Sequence, residues 1–310
     1  MKPFAVQKVL GLLLMLFSLT MLPPVLVSHL YQDGTAQPFL GALVLLLGLG
    51  AVIWLPVWKR HEELKLRDGF MVVVLFWTVL GLSGALPFIL SDEPHLSVTD
   101  AVFESISGLT TTGATVIVGL DDLPPSILYY RQQLQWLGGM GIIVLAVAIL
   151  PVLGIGGMQL YRAETPGPMK DSKLTPRITE TAKALWYIYL GLTIACGLAY
   201  WLAGMTPFDA IGHAFATVAI GGFSTHDASI GYFDSDLIEM IAVLFMLISG
   251  MNFALHFLAW NRKNLWSYWQ DSEFRFYLAL MGAATAVVGL GLYLSGTYTG
   301  GYDALTQGLF

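Results

Sequence analysis

The chain of 310 residues is unusually apolar, with 56% hydrophobic and only 12% charged residues, about half the charged share of an average soluble domain. A water-soluble protein of this size cannot hide so much apolar surface, and a net charge of -6 without a basic stripe argues against nucleic-acid binding. One cysteine, Cys196, allows neither an internal disulfide nor a cysteine-rich metal site. The composition therefore predicts an integral membrane protein.

Seven apolar stretches are long enough to cross a hydrocarbon layer as helices, which takes about 20 residues each. They cover residues 9–30, 39–58, 69–90, 127–153, 184–205, 237–260 and 276–294. Helices are favoured over a β-barrel because these runs lack the polar–apolar alternation of barrel strands. We expect the first run to be a retained helix, bent at Pro23 and Pro24, rather than a signal peptide.

The basic residues predict the orientation in the membrane. Fourteen of the fifteen Lys and Arg residues fall on one face, and that face is cytoplasmic if the N-terminus is cytoplasmic. The opposite face carries acidic residues, which either draw cations to an outer mouth or simply remain where basic residues are excluded. The one exception is Arg131, which is expected to snorkel or to pair with an outer acid such as Asp121.

Two segments between predicted spans, 91–126 and 206–236, are too apolar for plain loops and resemble each other. Asp100-Ala101 aligns with Asp209-Ala210 at an offset of 109 residues, and the same offset places Gly113 on Gly222. A third copy begins at Asp303-Ala304. The repetition predicts a unit of span, short re-entrant helix, tight glycine turn and span, with two complete copies and the start of a third.

Each re-entrant segment begins like a capped helix, with Ser97 and Asp100 in the first and Thr206, Pro207 and Asp209 in the second. About ten apolar residues follow, half of the length needed to cross, so the chain must dip in and return. Irregular backbone at that depth survives only where protein buries it or where it lines a water-filled path. The turns that follow are therefore the candidate functional sites.

The first turn (residues 110–114) and the second turn (residues 219–223) offer backbone carbonyls and a recurring glycine but no carboxylate. Carbonyl oxygens can replace the hydration shell of an alkali cation, and glycine permits the positive φ that turns them inward. The partially negative C-terminal end of each short helix also favours a cation there. The pattern favours a weakly held monovalent ion over a divalent one; the alternative is a tight turn that merely packs.

Other polar and small residues of these segments are expected to have structural roles. Glu104 and His213 occupy aligned places in the two short helices and are predicted to be buried hydrogen-bond partners behind the turns. The glycines of the fourth predicted span are expected to let helices approach closely, with a hinge as the alternative. They are Gly138, Gly139 and Gly141.

Several motifs carry a family resemblance: Leu109 to Thr115, Gln135 to Ile142, Ile220 to His226, and Arg162 to Pro168 on the cytoplasmic side. Through them the whole chain resembles the TrkH/KtrB family of bacterial potassium transporters. The resemblance implies an all-α membrane fold of span–pore helix–filter turn–span repeats behind two extra N-terminal helices. The chain then divides into those two helices (1–68), a first repeat (69–161), a cytoplasmic connection (162–183), a second repeat (184–262) and an incomplete third repeat (263–310).

The resemblance also implies a function, namely potassium uptake across the bacterial inner membrane. The implied filter carbonyls belong to Thr111, Thr112 and Gly113 in the first turn and to Ile220, Gly221 and Gly222 in the second. The implied partners are a second copy of the chain, membrane lipid and a cytoplasmic, TrkA-like regulatory subunit that alone carries nucleotide. No enzymatic activity is implied.

The family has four filter turns, so a chain that stops inside the third pore helix is expected to be a fragment or a truncated product. The third and fourth filter turns and the intramembrane gating loop would then be missing. The alternative hypothesis is a non-conducting assembly subunit, or a membrane enzyme, whose re-entrant loops only pack. The repeated glycine turn argues against this alternative, because an enzyme has no need to repeat it.

The charge distribution makes the orientation testable. In a Cys196-free background, a cysteine placed at Asp234 should react with an impermeant thiol reagent in intact cells, and a cysteine at Lys170 should react only after the cells are opened. External labelling at position 170 would contradict the predicted orientation.

Overall fold

The computed structural model describes residues 3–60, 66–141, 178–297 and 308–309, and all regular elements within these ranges are helices. The predicted all-α class is therefore confirmed. The first eight helices are α1 (Pro3–Leu19), α2 (Leu22–Tyr31), α3 (Ala36–Trp54), α4 (Leu66–Leu75), α5 (Gly81–Ser83), α6 (Leu86–Leu90), α7 (Val98–Leu109) and α8 (Pro125–Gly139). The remaining six are α9 (Ile178–Leu202), α10 (Pro207–Ala219), α11 (Asp236–Ser249), α12 (Phe253–Arg262), α13 (Trp266–Gln270) and α14 (Ser272–Leu294).

Five helical stretches within the described residues are long and apolar enough to cross a membrane. They are Pro3–Tyr31, Ala36–Val57, Met71–Leu90, Lys183–Leu202 and Ser272–Leu294, and they match five of the seven predicted spans. A π-helical segment, Phe76–Leu80, joins α4 to α5 within the third of them. The predicted span 127–153 begins in α8 but extends past residue 141, so its second half lies outside the described residues.

The predicted span 237–260 is wrong as a single helix, because the chain leaves helical geometry at residues 250–252, between α11 and α12. The last carbonyls of α11 also accept hydrogen bonds from side chains. The hydroxyl of Tyr277 donates to the Leu247 carbonyl at 3.2 Å, and Nε2 of His256 lies 3.0 Å from the Ile248 carbonyl. Such partners make the break tolerable in an apolar layer that supplies no water.

The first span, predicted to bend at Pro23 and Pro24, is interrupted just before these prolines. α1 ends at Leu19 and α2 begins at Leu22, so that Pro23 falls in the first turn of α2, where a missing amide proton costs nothing. α1 then packs against α3 at Gly11 and Gly50, each of which lies against the backbone carbonyl of the other. A Cβ at either position would collide with that carbonyl, which is the close approach that small residues allow in membranes.

Helix α8 occupies the position on which the candidate site depends, because it packs against both short helices, α7 and α10. One cluster of buried apolar side chains joins the N-terminal helices to α7 and α8, and another surrounds α9, α10 and α11. The polar residues of α8 therefore lie between the two repeats rather than on an outer surface.

The N-terminal helices are fixed to the first repeat through Asp33, which lies in the connection between α2 and α3. Its Oδ2 accepts a hydrogen bond from the backbone N–H of Ser126, in the first turn of α8, at 2.9 Å. Its Oδ1 accepts hydrogen bonds from Ser28 and Thr35. Burial opposes ionisation of this carboxyl, but the hydrogen bonds outweigh it and hold the pKa of Asp33 at about 2.

We expect Asp33→Asn to lower the melting temperature of the detergent-purified protein at pH 7, by the equivalent of about 1 kcal/mol after allowance for solvent screening. Because the folded pKa is depressed from 3.8 to about 2, ionised Asp33 stabilises the protein above pH 4, and this contribution is lost as the pH falls toward 2. The variant should therefore lose less stability on acidification. The exposed Asp92, replaced in the same way, serves as the control, and equal melting curves for the two variants would contradict the prediction.

Candidate ion-binding site

The two short helices begin as the sequence predicts. Oγ of Ser97 accepts a hydrogen bond from the backbone N–H of Asp100 at 3.2 Å, and Oγ1 of Thr206 accepts one from Asp209 at 3.1 Å. The Asp100 and Asp209 side chains also place negative charge in the first helical turn, where the helix dipole favours it. The predicted N-caps of α7 and α10 are confirmed.

The backbone of the two turns follows one pattern at the same offset of 109 residues. In the first turn φ is +56° at Thr111 and +77° at Gly113, and in the second it is +54° at Ile220 and +81° at Gly222. The positive φ predicted for both glycines is therefore confirmed, and a second positive φ precedes each glycine by two residues. Backbone that alternates in this way can direct successive carbonyls to one side, as a carbonyl-lined ion path requires.

The two turns touch each other on one side. A Cβ at Gly113 would collide with the carbonyl oxygen of Gly221, whereas a Cβ at Gly222 would meet no atom within 4 Å. Gly113 is thus required both by its positive φ and by the approach of the second turn. Gly222 is required by its φ alone and lies beside open space.

Gln135 of α8 holds the second turn from behind. Its Nε2 donates to the Gly221 carbonyl at 2.7 Å, and its Oε1 accepts from the backbone N–H of Phe223 at 3.1 Å. The side chain is fully buried. One amide therefore satisfies an acceptor and a donor of the same turn, in a place where unpaired backbone groups are costly.

Arg131, one helical turn before Gln135, is fully buried and does not snorkel. Its Nε donates to Oε1 of Glu104 at 2.8 Å, and its guanidinium lies 4.4 Å from the centre of the Phe223 ring. Its other nitrogens donate to Thr115 Oγ1 at 3.0 Å and to the Ser224 carbonyl at 3.1 Å. The expected snorkelling or pairing with Asp121 is wrong, because Glu104 lies within reach inside the protein and a planar guanidinium can serve several acceptors at once.

Glu104 and His213 are the buried hydrogen-bond partners that their aligned positions predict. Glu104 accepts from the Thr115 hydroxyl and from the backbone N–H of Val116. Nε2 of His213 lies 2.9 Å from the hydroxyl of Ser224, which is the counterpart of Thr115 at the offset of 109. In both repeats the short helix therefore holds a hydroxyl residue just beyond the turn.

The outer loops of the two repeats are also joined. The Asp227 carboxylate accepts hydrogen bonds from the backbone N–H groups of Gly119 and Leu120, at 3.1 and 3.0 Å. Asp121 bonds to His226, and this hydrogen bond holds the pKa of Asp121 below its usual value. Within the described ranges no cluster of three or more His, Cys, Asp or Glu residues could hold a metal ion.

The sequence analysis assigned no role to Gln135, although the spacing of polar residues in α8 points to one. Arg131 and Gln135 stand four residues apart and so share one face of a helix that the hydropathy assigns to the membrane. The predicted close packing at Gly138 is confirmed, because a Cβ there would collide with the Leu109 carbonyl. The motif from Arg162 to Pro168, Ile142 and the third copy at Asp303-Ala304 lie outside the described residues.

Short re-entrant helices that end in irregular, carbonyl-rich backbone within an all-helical membrane fold are found in proteins that conduct or transport ions. The family model for the TrkH cation transport proteins matches residues 35–297, and the chain belongs to this family.

The chain is similar to curated relatives and to a solved structure. It is 63% identical over 308 residues to the Trk system potassium uptake protein TrkH of Vibrio parahaemolyticus, and the match covers 99% of this chain and 64% of the relative. It is 57% identical over 306 residues to TrkH of Escherichia coli, with 99% and 63% covered. The crystal structure of the potassium transporter TrkH from Vibrio parahaemolyticus superimposes with a TM-score of 0.87 at 59% identity, over 100% of this chain and 63% of that one. The chain thus spans less than two thirds of the length of these relatives.

Removing one partner of the buried ion pair should destabilise the protein more than removing both. Arg131→Met leaves the Glu104 carboxylate without its counter-charge, and a loss of about 3–5 kcal/mol is typical of such a change. Adding Glu104→Gln should restore part of the loss, because no buried charge then remains. Thermal unfolding and membrane content of the two single variants and the double variant measure this, and additive losses would contradict it.

Proposed function

We propose that this chain contributes two turns of a potassium-selective filter and that its protein takes up potassium across the inner membrane of a bacterium. The ion would bind to backbone carbonyls of Thr111, Thr112 and Gly113 and of Ile220, Gly221 and Gly222. The observation that carries the proposal is the matched alternation of φ in the two turns, at 111 and 113 and again at 220 and 222. The similarity to proteins named for potassium uptake supports it.

The chemistry of the turns suits a monovalent cation. Backbone carbonyls carry only partial charge, so they can replace the water around K⁺ without binding the ion too tightly to release it. α7 and α10 end at Leu109 and Ala219, so the partially negative end of each helix dipole lies at its turn. The six carbonyls are not equivalent, because a hydrogen bond from Gln135 occupies one lone pair of the Gly221 carbonyl. Gly221 is therefore the weakest ligand of the six.

The proposal extends to the assembly. Two turns can surround an ion on only part of its circumference, so we propose that further turns complete the ring. We also propose a homodimer in membrane lipid with a cytoplasmic N-terminus, and a cytoplasmic regulatory subunit that binds the nucleotide. Outer acids such as Asp121, Asp227 and Asp234 would raise the local concentration of cations. On this proposal the protein transports ions and is not an enzyme.

The glycines of the turns test the proposal. Gly222→Ser, expressed from the complete gene in a strain deficient in potassium uptake, should reach the membrane normally but discriminate less between ⁸⁶Rb⁺ and ²²Na⁺. A side chain at positive φ costs about 1–2 kcal/mol, and 1.4 kcal/mol is about tenfold in selectivity. Gly113→Ser should have the larger effect, because its Cβ also displaces the Gly221 carbonyl.

Gly231→Ser is the matched control, because a Cβ at Gly231 would meet no atom within 4 Å and its φ is not positive. Unchanged uptake ratios in both turn variants would overturn the assignment of the filter carbonyls. Loss of both variants from the membrane, with normal accumulation of the control, would support turns that only pack.

A further inference from the structure

The contact with Gln135 explains why residue 221 is a glycine, although the backbone conformation at 221 does not require one. Unlike its neighbours Ile220 and Gly222, Gly221 has no positive φ. A Cβ at this position would nevertheless collide with the Gln135 amide, which lies directly against it. Glycine at 221 is therefore needed for the approach of Gln135 and not for the conformation of the turn.

The same contact distinguishes the two repeats. The counterpart of Gly221 in the first turn is Thr112, which carries a full side chain. The counterpart of Gln135 in the second repeat, at the offset of 109, is Leu244, whose side chain is half exposed on α11. Of the glycines in the two turns, Gly221 alone lies against a buried glutamine amide, which comes from the helix of the first repeat.

The carbonyl that Gln135 holds is also the one that meets the first turn. The Gly221 oxygen accepts from Nε2 of Gln135 at 2.7 Å and lies so close to Gly113 that no Cβ fits between them. Oε1 of Gln135 anchors the same turn a second time, at the Phe223 N–H. The Gln135 amide therefore holds the carbonyl at which the two turns meet.

We propose that Gln135 is a positioning residue for ion selectivity, which fixes the spacing of the two turns by holding the Gly221 carbonyl against Gly113. The inference rests on the proposed function, because it assigns to Gln135 the geometry of the proposed filter. Selectivity depends on the number and placement of carbonyls around the ion. Without the amide, the Gly221 carbonyl and the Phe223 N–H lose their buried partners, and the turn relaxes toward other ones.

The chain provides a matched control on the same helix. Gln133 is also buried in α8, and its Nε2 also donates to a backbone carbonyl at 2.7 Å. That carbonyl belongs to Thr20, between α1 and α2, away from both turns. Gln135→Met and Gln133→Met therefore both remove a hydrogen bond from a glutamine to a backbone carbonyl with the same change of shape. Gln135→Met alone acts on the proposed filter, where it also removes the bond to the Phe223 N–H.

Both variants and the parent are expressed from the complete gene, and uptake of ⁸⁶Rb⁺ and ²²Na⁺ is measured per amount of protein in the membrane. Gln135→Met should retain rubidium uptake while its preference over sodium falls about tenfold, the factor that corresponds to 1.4 kcal/mol. Gln133→Met should keep the preference of the parent. An unchanged preference in Gln135→Met, or an equal fall in both variants, overturns the positioning role.

A second variant separates positioning from folding. Gln135→Glu keeps the shape and the acceptor for the Phe223 N–H, and it sets a carboxylate oxygen against the Gly221 carbonyl, so it too should lose preference for rubidium. If both Gln135 variants are absent from the membrane while Gln133→Met accumulates, Gln135 is a requirement for folding and the inference is overturned.

The parent protein separates the inference from the proposed function. A parent that takes up neither potassium nor rubidium overturns the proposed function itself. A parent that prefers rubidium to sodium, together with a Gln135→Met variant of the same preference, overturns the inference alone.

Discussion

The structure depends on one constraint: a chain that turns back within an apolar layer must find a partner for every backbone group that the turn exposes. Water cannot serve, and unpaired groups cost several kcal/mol each. At the second turn the Gln135 amide of α8 supplies two partners, and Arg131 of the same helix donates to the Ser224 carbonyl just beyond the turn. At the break between α11 and α12 they come from Tyr277 and His256. Irregular backbone is accompanied by a buried polar side chain at both sites.

The two copies of the repeat share their backbone conformation but differ in several side chains. The φ pattern, the helix caps and the hydroxyl beyond each turn are found in both copies at one offset. The side chain that hydrogen-bonds to this hydroxyl differs, because it is Glu104 in the first copy and His213 in the second. The Glu104 carboxylate has its buried counter-charge in Arg131, whereas His213 lies between the Asp209 carbonyl and the Ser224 hydroxyl. α8 accordingly carries Arg131, whereas α11, its counterpart in the second repeat, carries Met240 at the same offset.

Local features of this protein could be predicted from its sequence and distant contacts could not. Caps, positive-φ glycines and most spans depend on a few neighbouring residues, and the prediction was right for them. The partner of Arg131 depends on how α7 and α8 pack, so its pairing with Glu104 was missed. The break at residues 250–252 also escaped, because its stabilising hydroxyl, on Tyr277, comes from a helix later in the chain. The ligand set of the turns stays a prediction, with Gly221 marked by its hydrogen bond as the weakest member.

The backbone conformation of Ile220 shows that the second turn depends on its surroundings. A β-branched residue at a φ of +54° is a conformational outlier that costs about 1–2 kcal/mol, and a short peptide of this sequence would not choose it. Part of the stabilisation is local, because the N–H groups of Ile220 and Gly221 donate to the Thr217 and Ala216 carbonyls at the end of α10. The rest comes from Gln135 and from the first turn, which hold the adjacent Gly221. The turn is therefore not a portable motif: transplanted without α8 it would relax. Its geometry depends on the packing of neighbouring helices as well as on its own sequence.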